Sequence, residues 1–418
     1  MERLVINGGN KLNGQVKICG MKNSALPIIF ATILVKEECV IGNIPLVSDV
    51  LGALDILKEM GASVSFIDTH TVSINTKNIS EDIKGFGLIS KMRASSYLMG
   101  AMLARFGKAY LPMPGGCNFG KRPIEQHLKG FTALGAECYE NDGYVSLTTK
   151  SLLKSTKITL DKISVGATIN IVLSSVFLDG ITVIDNVAIE PHVDDLICFL
   201  NSAGAKIVRK NRRIYCEGVK RLHSVSHQIY PDMIEALTYI TFLGVTGGEI
   251  SLICVNCEHL SYLNSIFCKM GFNLSCGVNT QTVKASGKLN GFDVITAPYP
   301  HFPTDLHPQF ASLLLFTKNG GIIKEEIFPT RFAYVNELSK MGARIVKEGN
   351  SVIVMPSILH SATTDATDLR AGASLVCAAL GTNGESTINN VNYIVRGYED
   401  LVGKITSLGG KIKLIKGE

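Results

Sequence analysis

Six stretches of the chain are apolar almost all round: Ala25–Val35, Ala94–Leu103, Val165–Phe177, Ile234–Leu243, Phe310–Phe316 and Ala371–Leu380. A helix with no polar face is buried on every side. Between them run amphipathic helical stretches, such as Asp195–Leu200 and Val335–Leu338, each closing on a small or apolar residue followed by glycine. Those glycines, Gly61, Gly135, Gly204, Gly271, Gly342 and Gly409, stand 67 to 74 residues apart. Glycine tolerates the left-handed conformation that ends a helix, so each reads as a C-cap, and a strand follows at once, as in Ala343–Val346. The pattern predicts an α/β protein of six βαβαββ-type repeats, in which an inner and an outer helix alternate with strands. Stacked arrays repeat every ~20–50 residues, so a solenoid is the poorer reading.

Length refines this picture. A chain of 418 residues exceeds what one core serves, so two domains of three repeats are expected, with a cleft between them. Apolar residues make up 46% and charged ones 18%, which predicts a globular chain throughout. The net charge of +5 is spread thinly, unlike a nucleic-acid footprint. The N-terminus lacks the basic start and apolar core of a signal peptide, and Ala25–Val35 is too short to span a bilayer. A cytoplasmic protein with neither membrane nor nucleic-acid partners is expected. The 11 cysteines are an odd number and mostly stand in apolar segments such as Leu375–Ala379, so most are expected to be reduced, buried, inert thiols.

The inner helices begin with polar residues that packing does not require: Lys22-Asn23-Ser24, Arg93 with Ser95, Lys162 with Ser164, Asp232, Thr304-Asp305, and Asp368 with Arg370. Ser24, Ser164, Thr304 and Asp368 each suit an N-cap. Cations do not, whereas helix N-termini attract anions. If these ends face one cleft, Lys22, Arg93, Lys162 and Arg370 gather there around a polyanion. The segment Pro112–Pro123 holds three glycines and three prolines and reads as a loop. Within it Cys117, close to Lys121, Arg122 and a helix start, has a setting that stabilises an accessible thiolate.

Lys22-Asn23-Ser24-Ala25-Leu26-Pro27, Met92-Arg93-Ala94-Ser95, Pro114-Gly115-Gly116-Cys117 with Gly120 and Arg122-Pro123, Lys162 with Ser164–Thr168, Phe302-Pro303-Thr304-Asp305, Asp368-Leu369-Arg370-Ala371 and Arg396-Gly397-Tyr398 together resemble, from end to end, the UDP-N-acetylglucosamine 1-carboxyvinyltransferases. The resemblance implies an inside-out α/β barrel in two domains, 22–229 and 1–21 with 230–418, with the active site in the cleft. It implies transfer of the enolpyruvyl group of phosphoenolpyruvate to the 3-hydroxyl of UDP-N-acetylglucosamine, the first committed step of peptidoglycan precursor synthesis, with no metal and no cofactor. Lys22 and Asn23 then contact phosphoenolpyruvate, with Arg122 and Arg396 as further anion ligands. Cys117 protonates the methylene carbon. Arg93, Arg122, Pro123, Ile124, Glu125, Gln126, Lys162, Ile163, Ser164, Val165, Asp305 and Ile327 match positions that hold the nucleotide sugar, and Thr304, Arg331 and Arg370 join the substrate-binding residues. Asp305 is also the base for the sugar hydroxyl, although its place before an inner helix equally suits a cap.

The chain departs from the family pattern at Glu125-Gln126, where Asp-Leu is usual, at Met233 for Arg, at Val395 for Asp, and at Ile189-Glu190-Pro191-His192. These leave open another uridine nucleotide or shikimate 3-phosphate as acceptor, or a non-catalytic sugar-nucleotide-binding homologue. The shikimate-pathway transferases lack the Pro-Gly-Gly-Cys loop.

Overall fold

The computed structural model describes residues 2–81, 87, 89, 93–113, 124–141, 143–150 and 152–416, with 93 and 94 described by their backbone alone. The chain divides into two compact units, one of Met1–Cys19 with Pro231–Glu418 and the other of Gly20–Tyr230.

The apolar stretches form the helices Lys22–Ala31, Tyr97–Phe106, Val165–Ser175, Met233–Thr246, His307–Leu315 and Leu369–Gly381. Their burial follows from having no polar face: every residue from Met233 to Leu243 is buried. In the first unit the three inner helices pack pairwise on one another. In the second, Tyr97–Phe106 packs on both Val165–Ser175 and Lys22–Ala31. The approach is close enough at Gly100 that a Cβ would stand 2.4 Å from the Asn170 carbonyl oxygen. Instead the Gly100 N–H donates to Asn170 Oδ1 at 2.8 Å.

The outer helices bury one stripe only, as Leu260, Leu263, Ile266, Phe267 and Met270 do in Cys257–Met270. After each comes its glycine, and all six carry φ between +88° and +106°, where any side chain is strained.

Among the described residues the strands form six separate sheets, five of four strands and one of three, and none closes into a barrel. The sheets are completed from distant parts of the chain. Arg3–Gly8 lies between Gly384–Asn389 and Lys411–Ile415, antiparallel to both, and Leu12–Lys17 pairs parallel with Gly248–Ile253. Val225–Gln228 in turn pairs parallel with Glu38–Gly42. Backbone bonds pin each crossing within its own unit, from Asp232 N–H to the Cys19 carbonyl at 2.8 Å and from Met21 N–H to the Tyr230 carbonyl at 2.7 Å. No helix among the described residues is long and apolar enough to cross a membrane.

The cysteines depart from expectation. Cys257 and Cys276 form a disulfide between an outer helix and the strand beyond it, although Cys254 stands at C-x-x-C spacing from Cys257. Of the eight described free thiols only Cys39, Cys216 and Cys377 are buried, whereas Cys198 and Cys268 are exposed. Apolar neighbours in sequence do not decide burial on an amphipathic helix, because adjacent residues there face different ways.

Candidate active site

In the first unit an ion-pair cluster gathers around Asp305, in the short 3-10 turn Thr304–Leu306 that leads into His307–Leu315. Its Oδ1 accepts from Arg331 Nη1 at 2.8 Å and its Oδ2 from Arg370 Nη2 at 3.1 Å. The two arginine side chains are 6% and 5% exposed, and the carboxylate is 26% exposed. Asp305 is therefore no cap: no side chain caps either helix start. Thr304 is no cap either, since its hydroxyl donates to Glu325 Oε2 at 2.9 Å and accepts from Arg331 Nη1 at 3.0 Å. Ser24 lies buried inside its helix rather than before it. On the inner helices the side-chain caps that do form are Ser164, Asp232 and Asp368, the last taking the N–H groups of Arg370 and Ala371.

Arg370 also reaches Tyr398 OH with Nη1 at 3.0 Å. Burial alone depresses a guanidinium, yet the hydrogen bond that Tyr398 accepts and the charge of Asp305 more than offset it and hold Arg370 above its ordinary value. The phenol of Tyr398 is fixed in turn by Thr238 at 2.9 Å and Gln309 at 3.0 Å, from the other two inner helices. Burial pushes the Tyr398 hydroxyl up, so it stays neutral.

Glu325 lies behind this cluster with a fully buried side chain. Burial pushes its carboxyl up, but His307, the Phe328 N–H and Thr296 reverse the balance and leave it below the ordinary value. His307, also fully buried, is held below its ordinary value by burial. Ile327 joins through its backbone, which donates to Glu325 Oε1 at 2.9 Å. Arg396 ends the 3-10 helix Val391–Arg396 and is half-buried. Of the departures, Met233 opens its helix buried, whereas Val395 is 43% exposed.

In the second unit Lys22 opens an inner helix and is paired with Asp49 at 3.1 Å, both largely covered. Asn23 beside it is half-buried. Ile124, buried, stands before the helix Glu125–Leu134, with Glu125 exposed in its first turn. Gln126 clamps Asp161 from two sides: its amide donates to Oδ2 at 3.1 Å and its oxygen accepts the Asp161 N–H at 2.8 Å. This joins the Ile124–Gln126 segment to the one carrying Lys162, Ile163, Ser164 and Val165. Lys162 is exposed, Ile163 half-buried, and Ser164 caps the helix that Val165 begins. Cys117, Arg122 and Pro123 lie outside the described residues, as does the Arg93 side chain.

The structure thus brings Thr304, Asp305, Ile327, Arg331 and Arg370 together in one unit, and Gln126 together with the Lys162–Val165 segment in the other. Sequence reasoning missed Glu325, His307, Tyr334, Thr238, Gln309, Asp49 and Asp161. Tyr398 was visible only as part of an Arg-Gly-Tyr motif.

A family model described as EPSP synthase (3-phosphoshikimate 1-carboxyvinyltransferase) matches residues 6–405. Among solved structures, the enolpyruvyl transferase NikO from Streptomyces tendae superposes with a TM-score of 0.89 at 24% identity, covering 100% of this chain and 99% of that one. EPSP synthase from Acinetobacter baumannii superposes at 0.78 and 18% identity, with 100% of both chains covered. At such identities the superpositions establish the fold, which is that of the enolpyruvyl transferases. The UDP-N-acetylglucosamine 1-carboxyvinyltransferase of Halothermothrix orenii is 41% identical over 417 residues, 100% of each chain. UDP-N-acetylglucosamine 1-carboxyvinyltransferase 1 of Clostridium acetobutylicum is 41% identical over 419 residues, again covering both chains in full. The chain belongs to the UDP-N-acetylglucosamine 1-carboxyvinyltransferase family.

Proposed function

We propose that this protein transfers the enolpyruvyl group of phosphoenolpyruvate to the 3-hydroxyl of UDP-N-acetylglucosamine and releases phosphate. The observation that carries the reading is full-length identity of 41% to transferases of that name. The chemistry suits the residue types. The sugar hydroxyl adds to C2 of phosphoenolpyruvate while a proton is delivered to C3, giving a tetrahedral intermediate. Loss of phosphate and of one methyl proton then restores the double bond. Such an addition needs an acid at carbon, a base at oxygen and fixed cations for phosphate and carboxylate.

Cys117 takes the acid role and Asp305 the base role. Each Asp305 oxygen receives a guanidinium N–H, and a side chain 26% open to solvent leaves a path for a hydroxyl. Lys22 and Asn23, with Arg122 and Arg396, hold phosphoenolpyruvate. Arg93, Arg122–Gln126, Lys162–Val165, Thr304, Ile327, Arg331 and Arg370 hold the nucleotide sugar.

Phosphate release with phosphoenolpyruvate and a panel of acceptors tests the reading. Turnover is expected with UDP-N-acetylglucosamine and not with shikimate 3-phosphate. Release with shikimate 3-phosphate or another uridine nucleotide alone, or with none of the panel, overturns it.

A further inference from the structure

Thr304 and Asp305 come from one segment, Ile327 and Arg331 from another, and the second runs through turns rather than a helix or strand. Both segments are tied to the Glu325 carboxylate. Its Oε1 accepts from Thr296 Oγ1 at 2.8 Å and from the N–H groups of Ile327 at 2.9 Å and Phe328 at 2.8 Å. Its Oε2 accepts from Thr304 Oγ1 at 2.9 Å and pairs with His307 Nδ1 at 2.8 Å. A carboxylate with no exposed surface is costly unless its lone pairs are met, and five donors meet these.

Proton directions follow from that count. An ionised carboxylate only accepts, so the Thr304 hydroxyl and His307 Nδ1–H both point at Glu325. His307 Nε2 then accepts from the Tyr334 hydroxyl, 2.8 Å away. With its proton committed, the Thr304 oxygen is left to accept from Arg331 Nη1 at 3.0 Å, the same nitrogen that reaches Asp305 Oδ1 at 2.8 Å.

We propose that Glu325 is the positioning residue of the acceptor side of the site: by fixing the Thr304 proton and the Ile327 and Phe328 amides, it holds Arg331 in register with Asp305. This rests on the reading above, in which Asp305, Ile327 and Arg331 serve the sugar nucleotide. Glu325 itself touches no substrate in this account.

Glu325→Gln tests it. The amide oxygen keeps the Oε1 donors, so the NH2 group faces Thr304 and His307. His307 can answer by moving its proton to Nε2 and donating to Tyr334. Thr304 cannot, because Arg331 and the new amide both donate to its oxygen while its own proton is left without the carboxylate that took it. The expected result is a loss of about tenfold or more in kcat/KM for UDP-N-acetylglucosamine, the size of one misdirected charge-assisted hydrogen bond, with KM for phosphoenolpyruvate unchanged. A role in folding alone would lower kcat with the folded fraction and leave both KM values alone, and that outcome overturns the proposal. So does native kcat/KM. Should the Gln variant not fold, Glu325→Asp decides: it keeps the charge but, one methylene shorter, withdraws the carboxylate from Thr304 and from the Ile327 and Phe328 amides. The same loss confined to the sugar nucleotide is expected, and an equal loss for both substrates, or none, overturns the proposal. Wild-type protein that turns over no UDP-N-acetylglucosamine would instead overturn the function proposed above.

Discussion

Asp305→Asn separates chemistry from architecture, and the structure changes what it should do. Were Asp305 a helix cap, an amide oxygen would serve as well and stability would be kept. The carboxylate instead stands between two guanidiniums that are 5% and 6% exposed. An amide puts an NH2 donor in place of one acceptor oxygen, so that group must face Arg331 or Arg370, and both arginines lose the negative charge of Asp305. Breaking a buried ion pair from one side costs about 3–5 kcal/mol. Here the carboxylate is 26% exposed, water reaches the vacated position, and Arg370 keeps Tyr398, so roughly 1–3 kcal/mol is the better figure. For a unit of this size that lowers the melting midpoint by about 3–10 °C. Loss of the base should separately cut turnover by about a hundredfold or more. Thermal unfolding, calorimetric binding of UDP-N-acetylglucosamine and phosphate release, measured side by side, check both halves. Binding should weaken by less than turnover. An unshifted midpoint with more than half of wild-type turnover would refute the ion-pair reasoning and the base together.

Arg396→Lys keeps the charge but not the planar fork that grips a carboxylate or phosphate twice, so kcat/KM for phosphoenolpyruvate should fall about tenfold or more; unchanged steady-state kinetics would remove Arg396 from the site. A phosphonate epoxide that mimics phosphoenolpyruvate should modify Cys117 alone, as peptide mass mapping would show, whereas a general alkylating agent should also take the exposed Cys198 and Cys268. Burial pushes the thiols of Cys19, Cys39, Cys216 and Cys377 up to about 12, so none of these should react near neutral pH; epoxide on any cysteine other than Cys117 at a comparable rate sinks that assignment. His307 is held by burial below the ordinary histidine value of 6.5, so between 6.5 and its folded value the unfolded chain binds the proton and the folded one does not. Stability should therefore fall as pH drops through that window, and His307→Gln should flatten the dependence of the melting midpoint on pH there; an equally steep curve in the variant contradicts this.

Local pattern determined a good deal of this protein by itself. The six inner helices are legible because an all-apolar run can only be buried, and the six glycines because a helix end followed at once by a strand calls for a positive φ, which all six carry. The loop read around Cys117 rests on the same kind of reason, a short run of residue types no regular element accepts, but residues 114–123 lie outside the described residues. What the sequence could not decide is pairing between distant segments. Nothing local marks Arg3–Gly8 as the partner of Gly384–Asn389, or Glu325 as the carboxylate that meets His307, Thr304 and the Ile327 amide. Asp305 shows the difference most sharply. Its place before an inner helix suggests a cap, yet its role depends on Arg331 and Arg370, which chain folding brings to 2.8 and 3.1 Å from its two oxygens. Helix and turn preferences act over a few residues, whereas a buried charge is settled by whichever counter-charge the tertiary fold delivers, and only the folded chain holds that information.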